Sequence, residues 1–190
     1  MTRKIGIVCC SDGFNRAYEG EIEELHRILA DMGIESVISP FLYARDGVAS
    51  GTAEERAKAV MDFYLDDTID AICDISGGDI ANGILPYLDY SVIAKMDKQF
   101  WGDSDLTTIL NAIYAKTRQT GVLYQIRNVL YKERKQQMTD VRDVLCEGGD
   151  ALYRIDYHYV QGTEMHGIIV GGNIRCFLKL SGTAYMPDLN

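Results

Sequence analysis

The sequence offers little to a nucleic acid, a bilayer or a redox partner. Basic residues are outnumbered, 19 Lys and Arg against 28 Asp and Glu, for a formal net charge of −9. Nucleic acids and anionic membrane surfaces need basic patches, so neither is expected as a partner. No apolar run approaches the roughly 20 residues of a membrane span. The run near the start, "KIGIVCC", stops at Ser11-Asp12-Gly13 and reads as a buried strand, not a signal peptide. The cysteines number five, and no two of them stand in C-x-x-C spacing. That pattern gives no support to a zinc site or a redox pair. Cys9, Cys10, Cys73, Cys146 and Cys176 are therefore expected to be reduced thiols, mostly buried, in a cytoplasmic protein. The glycine-rich phosphate loops G-x-G-x-x-G and G-x-x-x-x-G-K-[ST] are missing, which weakens any nucleotide reading. Only three histidines are present, His26, His158 and His166, so a general base has few sources.

What is present is a repeating alternation. The 190 residues are 47% hydrophobic and 25% charged, a composition that can build a core in one ordinary domain or a domain plus a fragment. Short β-branched runs ("KIGIVCC", "IESVISP", "IDAICDIS", "KQFWG" and "GVLYQI") alternate with helical patterns. The helix after Gly51 carries a capping-box signature in Thr52 and Glu55. "IANGILPYLDYSVIAKM" reads as two short helical pieces broken at Pro86. Strands and helices in this order predict an α/β fold, a mostly parallel, flavodoxin-like sheet with helices on both faces. We place this domain at residues 1–125 and a charged linker at 126–150. Residues 151–190, with alternating apolar and polar positions, are expected to begin an incomplete, β-containing second domain.

In such sheets ligands gather at the carboxyl ends of the strands. Three loops fall there: "SDG" after the first strand, "SGGD" (76–79) after the third and "GDSD" (102–105) after the fourth. Ser104 has two readings. Ser104 or Asp103 can be the N-cap of the following helix, which spacing alone favours. Alternatively, Ser104 is a nucleophile at a strand-to-helix turn, with the amide after it and the helix dipole facing a developing oxyanion. The pair Gly77-Gly78 is either a tight turn or a second source of amide donors. No histidine has an Asp or Glu at a spacing that makes a triad legible.

Taken together, several segments resemble the LD-carboxypeptidases, the family of muramoyltetrapeptide carboxypeptidases and microcin C immunity peptidases. They are "KIGIVCCSD", "SGGDIANGILPYLDY", "FWGDSDLTTILNAIYAKT" and "GIIVGGNIRCFLKLSGTAYMPD". The resemblance implies a two-domain serine peptidase with a Ser-Glu-His triad, working without metal or cofactor. It implies Ser104 as nucleophile, with an oxyanion hole from the amides of Gly78 (or Gly77) and Asp105. The implied substrate is a peptide, either a murein tetrapeptide losing its terminal D-alanine or, in the immunity branch, a peptidyl or aminoacyl nucleotide. A homodimer is also implied. Two departures stand out. Asp103 occupies a place where the family usually has an aromatic residue. The family's Glu and His follow the G-T-x-Y-x-P-D motif, and the chain ends at Asn190, just past it. The expectation is thus a truncated chain with impaired hydrolysis. A module that only binds peptide or nucleotide, and an unrelated flavin-binding flavodoxin-like module, are the competing readings.

Overall fold

A computed structural model describes residues 2–45, 47–162, 164 and 166–189. Five strands form one sheet: β1 (Arg3–Val8), β2 (Ile34–Ile38), β3 (Ala71–Asp74), β4 (Gln99–Gly102) and β5 (Val122–Leu123). Their order is β2-β1-β3-β4-β5, and every pairing is parallel. The α/β fold is therefore as expected, although the fifth strand is only two residues long.

The helices α1 (Glu19–Asp31), α2 (Ala53–Leu65), α3 (Tyr90–Ile93) and α4 (Thr107–Thr117) divide between the two faces. Side chains alternate across a strand, so each strand feeds two cores. Ile5, Ile7, Cys73 and Trp101 pack with Leu25, Ile28 and Leu29 of α1. Val8, Ile72 and Phe100 pack on the other face with Val60 and Phe63 of α2 and Ile109 and Ile113 of α4. Gly6 lies under α2, where an added Cβ would overlap the Phe63 ring, so the close approach of helix and sheet requires glycine. The predicted capping box on α2 forms: Glu55 N donates to Thr52 Oγ1 (3.2 Å) and Thr52 N donates to Glu55 Oε2 (2.9 Å).

Three local expectations change. The helical run 81–87 continues through Pro86 as a 3₁₀ segment, and the break comes at Asp89, whose carboxylate caps α3. Residues 126–150, read as a linker, are largely helical: a 3₁₀ segment (Ile126–Leu130), α5 (Arg134–Arg142) and a π-turn (Asp143–Glu147). They bury Ile126, Val129, Val141 and Leu145 against the α1 face. Within α5 only Val141 is buried, which is why its sequence shows little periodicity. After Leu123 no strand forms among the described residues, so residues 151–189 do not show the expected β structure. A strand needs a neighbour to pair with, and the alternating apolar side chains Ile155, Tyr157 and Tyr159 stay exposed. The chain then returns as α6 (Ile174–Leu178), followed by Leu180, buried in the α2–α4 core. Among the described residues no helix is long and apolar enough to cross a membrane.

Candidate active site

From β1 the chain runs first to one side of the sheet, to β2, and later to the other, to β3. Crevices open at such a reversal of strand order, beyond the carboxyl ends of the strands. The loops after β1, β3 and β4 meet there, and their contacts are dense.

Ser104 follows β4 and Asp103 with φ 55°, in the left-handed region. Among the described residues two other non-glycine residues share that conformation, Arg118 and Glu133. Arg118 is a helix C-cap, where left-handed backbone is common. Ser104 and Glu133, the N-cap of α5, instead lie where a helix begins, and such a conformation costs about 1–3 kcal/mol. Of the two, Ser104 alone directly follows the carboxyl end of a strand and its first loop residue. Capping does not explain it. Asp103 holds the N-cap position with no side-chain hydrogen bond, and the N-cap of α4, Leu106, has none either. Among the described residues the Ser104 hydroxyl has no hydrogen-bond partner, and the residue is half-buried. The turn thus presents an uncommitted hydroxyl in front of α4. Asp103 beside it is exposed.

Gly78 has φ 127°, and a Cβ there would overlap the Asp12 carboxylate. Gly77 has open space around its Cβ position, and its carbonyl accepts from Asp12 N (2.9 Å). The Asp12 carboxyl is pushed above its ordinary range by burial and then by the negative charges of Asp105 and Asp79.

Two buried carboxylates hold these loops together. Asp74, at the end of β3, accepts from Cys10 N (2.6 Å), Ser76 N (2.6 Å) and Ser76 Oγ (2.5 Å). Burial raises its pKa despite those bonds. Asp105 is fully buried and accepts from Ser11 Oγ (2.7 Å), Ala81 N (2.8 Å) and Lys179 Nζ (2.6 Å). Burial pushes the Asp105 pKa up, but the bonds from Lys179, Ala81 and Ser11 outweigh it, so the net shift is downward. The nearly buried Arg56 donates to the carbonyls of Cys10 and Ile80, tying the first loop to the second.

This network makes stability depend on pH. A depressed carboxylate pKa contributes stability above its unfolded value and loses it as pH falls through the folded value. Lys179 is shifted upward: burial opposes the charge, but Asp105 prevails. Its contribution is full below its unfolded value and is lost at higher pH. Asp105→Asn is therefore expected to cost about 2 kcal/mol at neutral pH. Urea midpoints should show the gap to the parent fully open between the ordinary values of 3.8 and 10.5 and closing outside them. A gap that does not change with pH would show that the charge is not what matters.

The sequence singled out Ser104, Gly78, Gly77 and the Asp105 amide, and all lie on two of the meeting loops. The Asp105 carboxylate, Asp74, Arg56, Ser11 and Lys179 were not anticipated. Asp74 left one signal, a carboxylate ending the otherwise apolar strand "AICD". The histidines are elsewhere. His26 bonds Ser36 Oγ through Nδ1 (2.6 Å) beside β2, His166 pairs with Glu164 (2.7 Å) on an exposed segment, and His158 is exposed.

A parallel 2-1-3-4-5 sheet with a left-handed serine turn at its carboxyl edge defines a flavodoxin-like α/β protein. Residues 5–125 match the LD-carboxypeptidase N-terminal domain, and the chain belongs to that family of serine peptidases. The microcin C7 self-immunity protein MccF of Escherichia coli is 37% identical over 206 residues, spanning 92% of this chain and 58% of the relative. The fold is that of an MccF-like protein from Bacillus anthracis str. Ames (TM-score 0.83, 23% identity, 99% of this chain and 64% of that one). It is also that of MccF in complex with aspartyl sulfamoyl adenosine (TM-score 0.79, 20% identity, 100% of this chain and 66% of that one). The chain thus spans less than two thirds of the length of its curated relative.

Proposed function

We propose that the chain carries the nucleophile and the oxyanion donors of an LD-carboxypeptidase-type serine peptidase. Ser104 Oγ attacks the scissile carbonyl, and the amides of Gly78 and Asp105 receive the oxyanion. The observation that carries this reading is the left-handed Ser104 backbone, a strain that no capping bond explains. The substrate we propose first is a murein tetrapeptide that loses its terminal D-alanine. A second reading, hydrolysis of a peptidyl or aminoacyl nucleotide, is favoured by the 37% identity to MccF. Asp103 and Asp12 add negative charge near the turn, which suits a substrate without a carboxylate beside the scissile bond.

In the family pattern the base and its orienting acid follow the "GTAYMPD" motif. Residues 1–190 alone are therefore expected to hydrolyse several orders of magnitude more slowly than the same chain continued past Asn190 by the C-terminal part of MccF. The assay offers both a murein tetrapeptide and an aminoacyl sulfamoyl adenosine. Release of D-alanine supports the first reading and release of the amino acid the second. An inert continued chain, indistinguishable from its Ser104→Ala variant on both substrates, would overturn the peptidase reading.

A further inference from the structure

Lys179 lies in the C-terminal segment, one residue after α6, far in sequence from the loops it touches. Its ammonium donates to Asp105 Oδ1 (2.6 Å), to the Asp79 carbonyl (3.0 Å) and to Asp79 Oδ1 (3.3 Å). Three donors thus meet three acceptors. Asp79 follows Gly78 in the chain, and Asp105 follows Ser104. One cation therefore bonds Asp79, next to the proposed donor Gly78, and Asp105, itself the second proposed donor.

The other half of the bridge is equally fixed. Asp105 Oδ2 accepts from Ser11 Oγ and Ala81 N, and Ser11 Oγ accepts from Ile80 N (3.2 Å). A fully buried carboxylate requires a counter-charge, and Lys179 supplies it. Lys179 itself cannot drift. Cys176, Phe177 and Leu180 around it are buried, Asn173 N donates to Thr107 Oγ1 (3.1 Å), and the Asn111 side chain bonds both the N–H and the carbonyl of Gly171. Arg175 pairs with the Asp79 carboxylate as well, from the exposed side.

We infer that Lys179 is a positioning residue that sets the spacing between the amides of Gly78 and Asp105 by clamping Asp79 and Asp105 to one ammonium. Its role in catalysis rests on the peptidase reading above. Its structural role does not.

The test is therefore double. On the chain as it stands, backbone amide spectra and hydrogen exchange are compared for the parent, Lys179→Met and Lys179→Arg. The amides of Gly78 and Asp105 should shift and exchange about tenfold faster in the Met variant, while Ile5 and Ile72 in the sheet stay unchanged. The Arg variant should restore most of the parent values. If the Met variant does not fold, Lys179→Gln, which keeps a donor but no charge, is read in the same way. Shifts confined to residues near position 179 would overturn the inference. On the continued chain, Lys179→Met should lower kcat roughly tenfold to a hundredfold with little change in KM, because a small misplacement of catalytic donors costs that much. An unchanged kcat, with Ser104→Ala inactive, would refute the catalytic role and leave the peptidase reading intact. If Ser104→Ala is as active as the parent, it is the peptidase reading that fails.

Discussion

Ser104→Gly is expected to lower hydrolysis by the continued chain by about six orders of magnitude, with no loss of stability. The two effects share one origin. Removing a nucleophile that acts as a unit with its base costs nearly the whole catalytic contribution of the unit. The backbone at φ 55°, by contrast, is held against its own preference. Glycine adopts that conformation without a Cβ penalty. The Gly variant should therefore be more stable than the Ser104→Ala variant, by about 0.5–1 kcal/mol. Thermal or urea unfolding reads the difference on residues 1–190 directly. At a helix cap glycine would also outrank alanine, but there the Gly variant should fall a few tenths of a kcal/mol below the parent, whereas here it should at least equal it.

Gly78→Ala is expected to reduce kcat by about 10²–10³-fold, the usual cost of losing one oxyanion donor. The argument is steric. The new Cβ would overlap the Asp12 carboxylate, and φ 127° is a conformation that alanine rarely adopts. The peptide plane at 78 must rotate, and its N–H turns with it. Stability should fall as well, by about 1–3 kcal/mol. Gly77→Ala is the control: its Cβ meets open space, so rate and stability should stay near those of the parent. Measured kcat and KM for both variants separate the two glycines, which sequence left as alternatives. Equal losses in both would show that the loop as a whole matters, and not the Gly78 amide.

Much of the fold was legible because it rests on local rules. Alternation of β-branched runs and amphipathic helices foretold β1 to β4 and α1, α2 and α4. Thr52 and Glu55 foretold a cap, and it formed. Two regions escaped. The helix α5 buries one side chain, Val141, so periodicity had almost nothing to report. Residues 155–160 alternate like a strand, but alternation states a preference and only a neighbouring ladder can realise it. At the site, the turn residues were legible and the carboxylate network was not. Asp105 finds its partners 24, 74 and 94 residues away in the chain, at Ala81, Lys179 and Ser11. Local patterns do not reach that far. Spacing also favoured a cap at Ser104, and the backbone decides against it: a cap needs extended dihedrals and a side-chain bond, and Ser104 has neither.

The central claim is that Ser104 Oγ is placed to bond an acyl carbon with the amides of Gly78 and Asp105 around the oxygen. A peptidyl boronate ending in the D-alanine analogue tests it on residues 1–190 without requiring turnover. ¹¹B NMR should show tetrahedral boron with the parent and trigonal boron with Ser104→Ala, and mass spectrometry of the trapped adduct should map it to the peptide containing Ser104. Trigonal boron with the parent, or an adduct that survives Ser104→Ala, would contradict the claim.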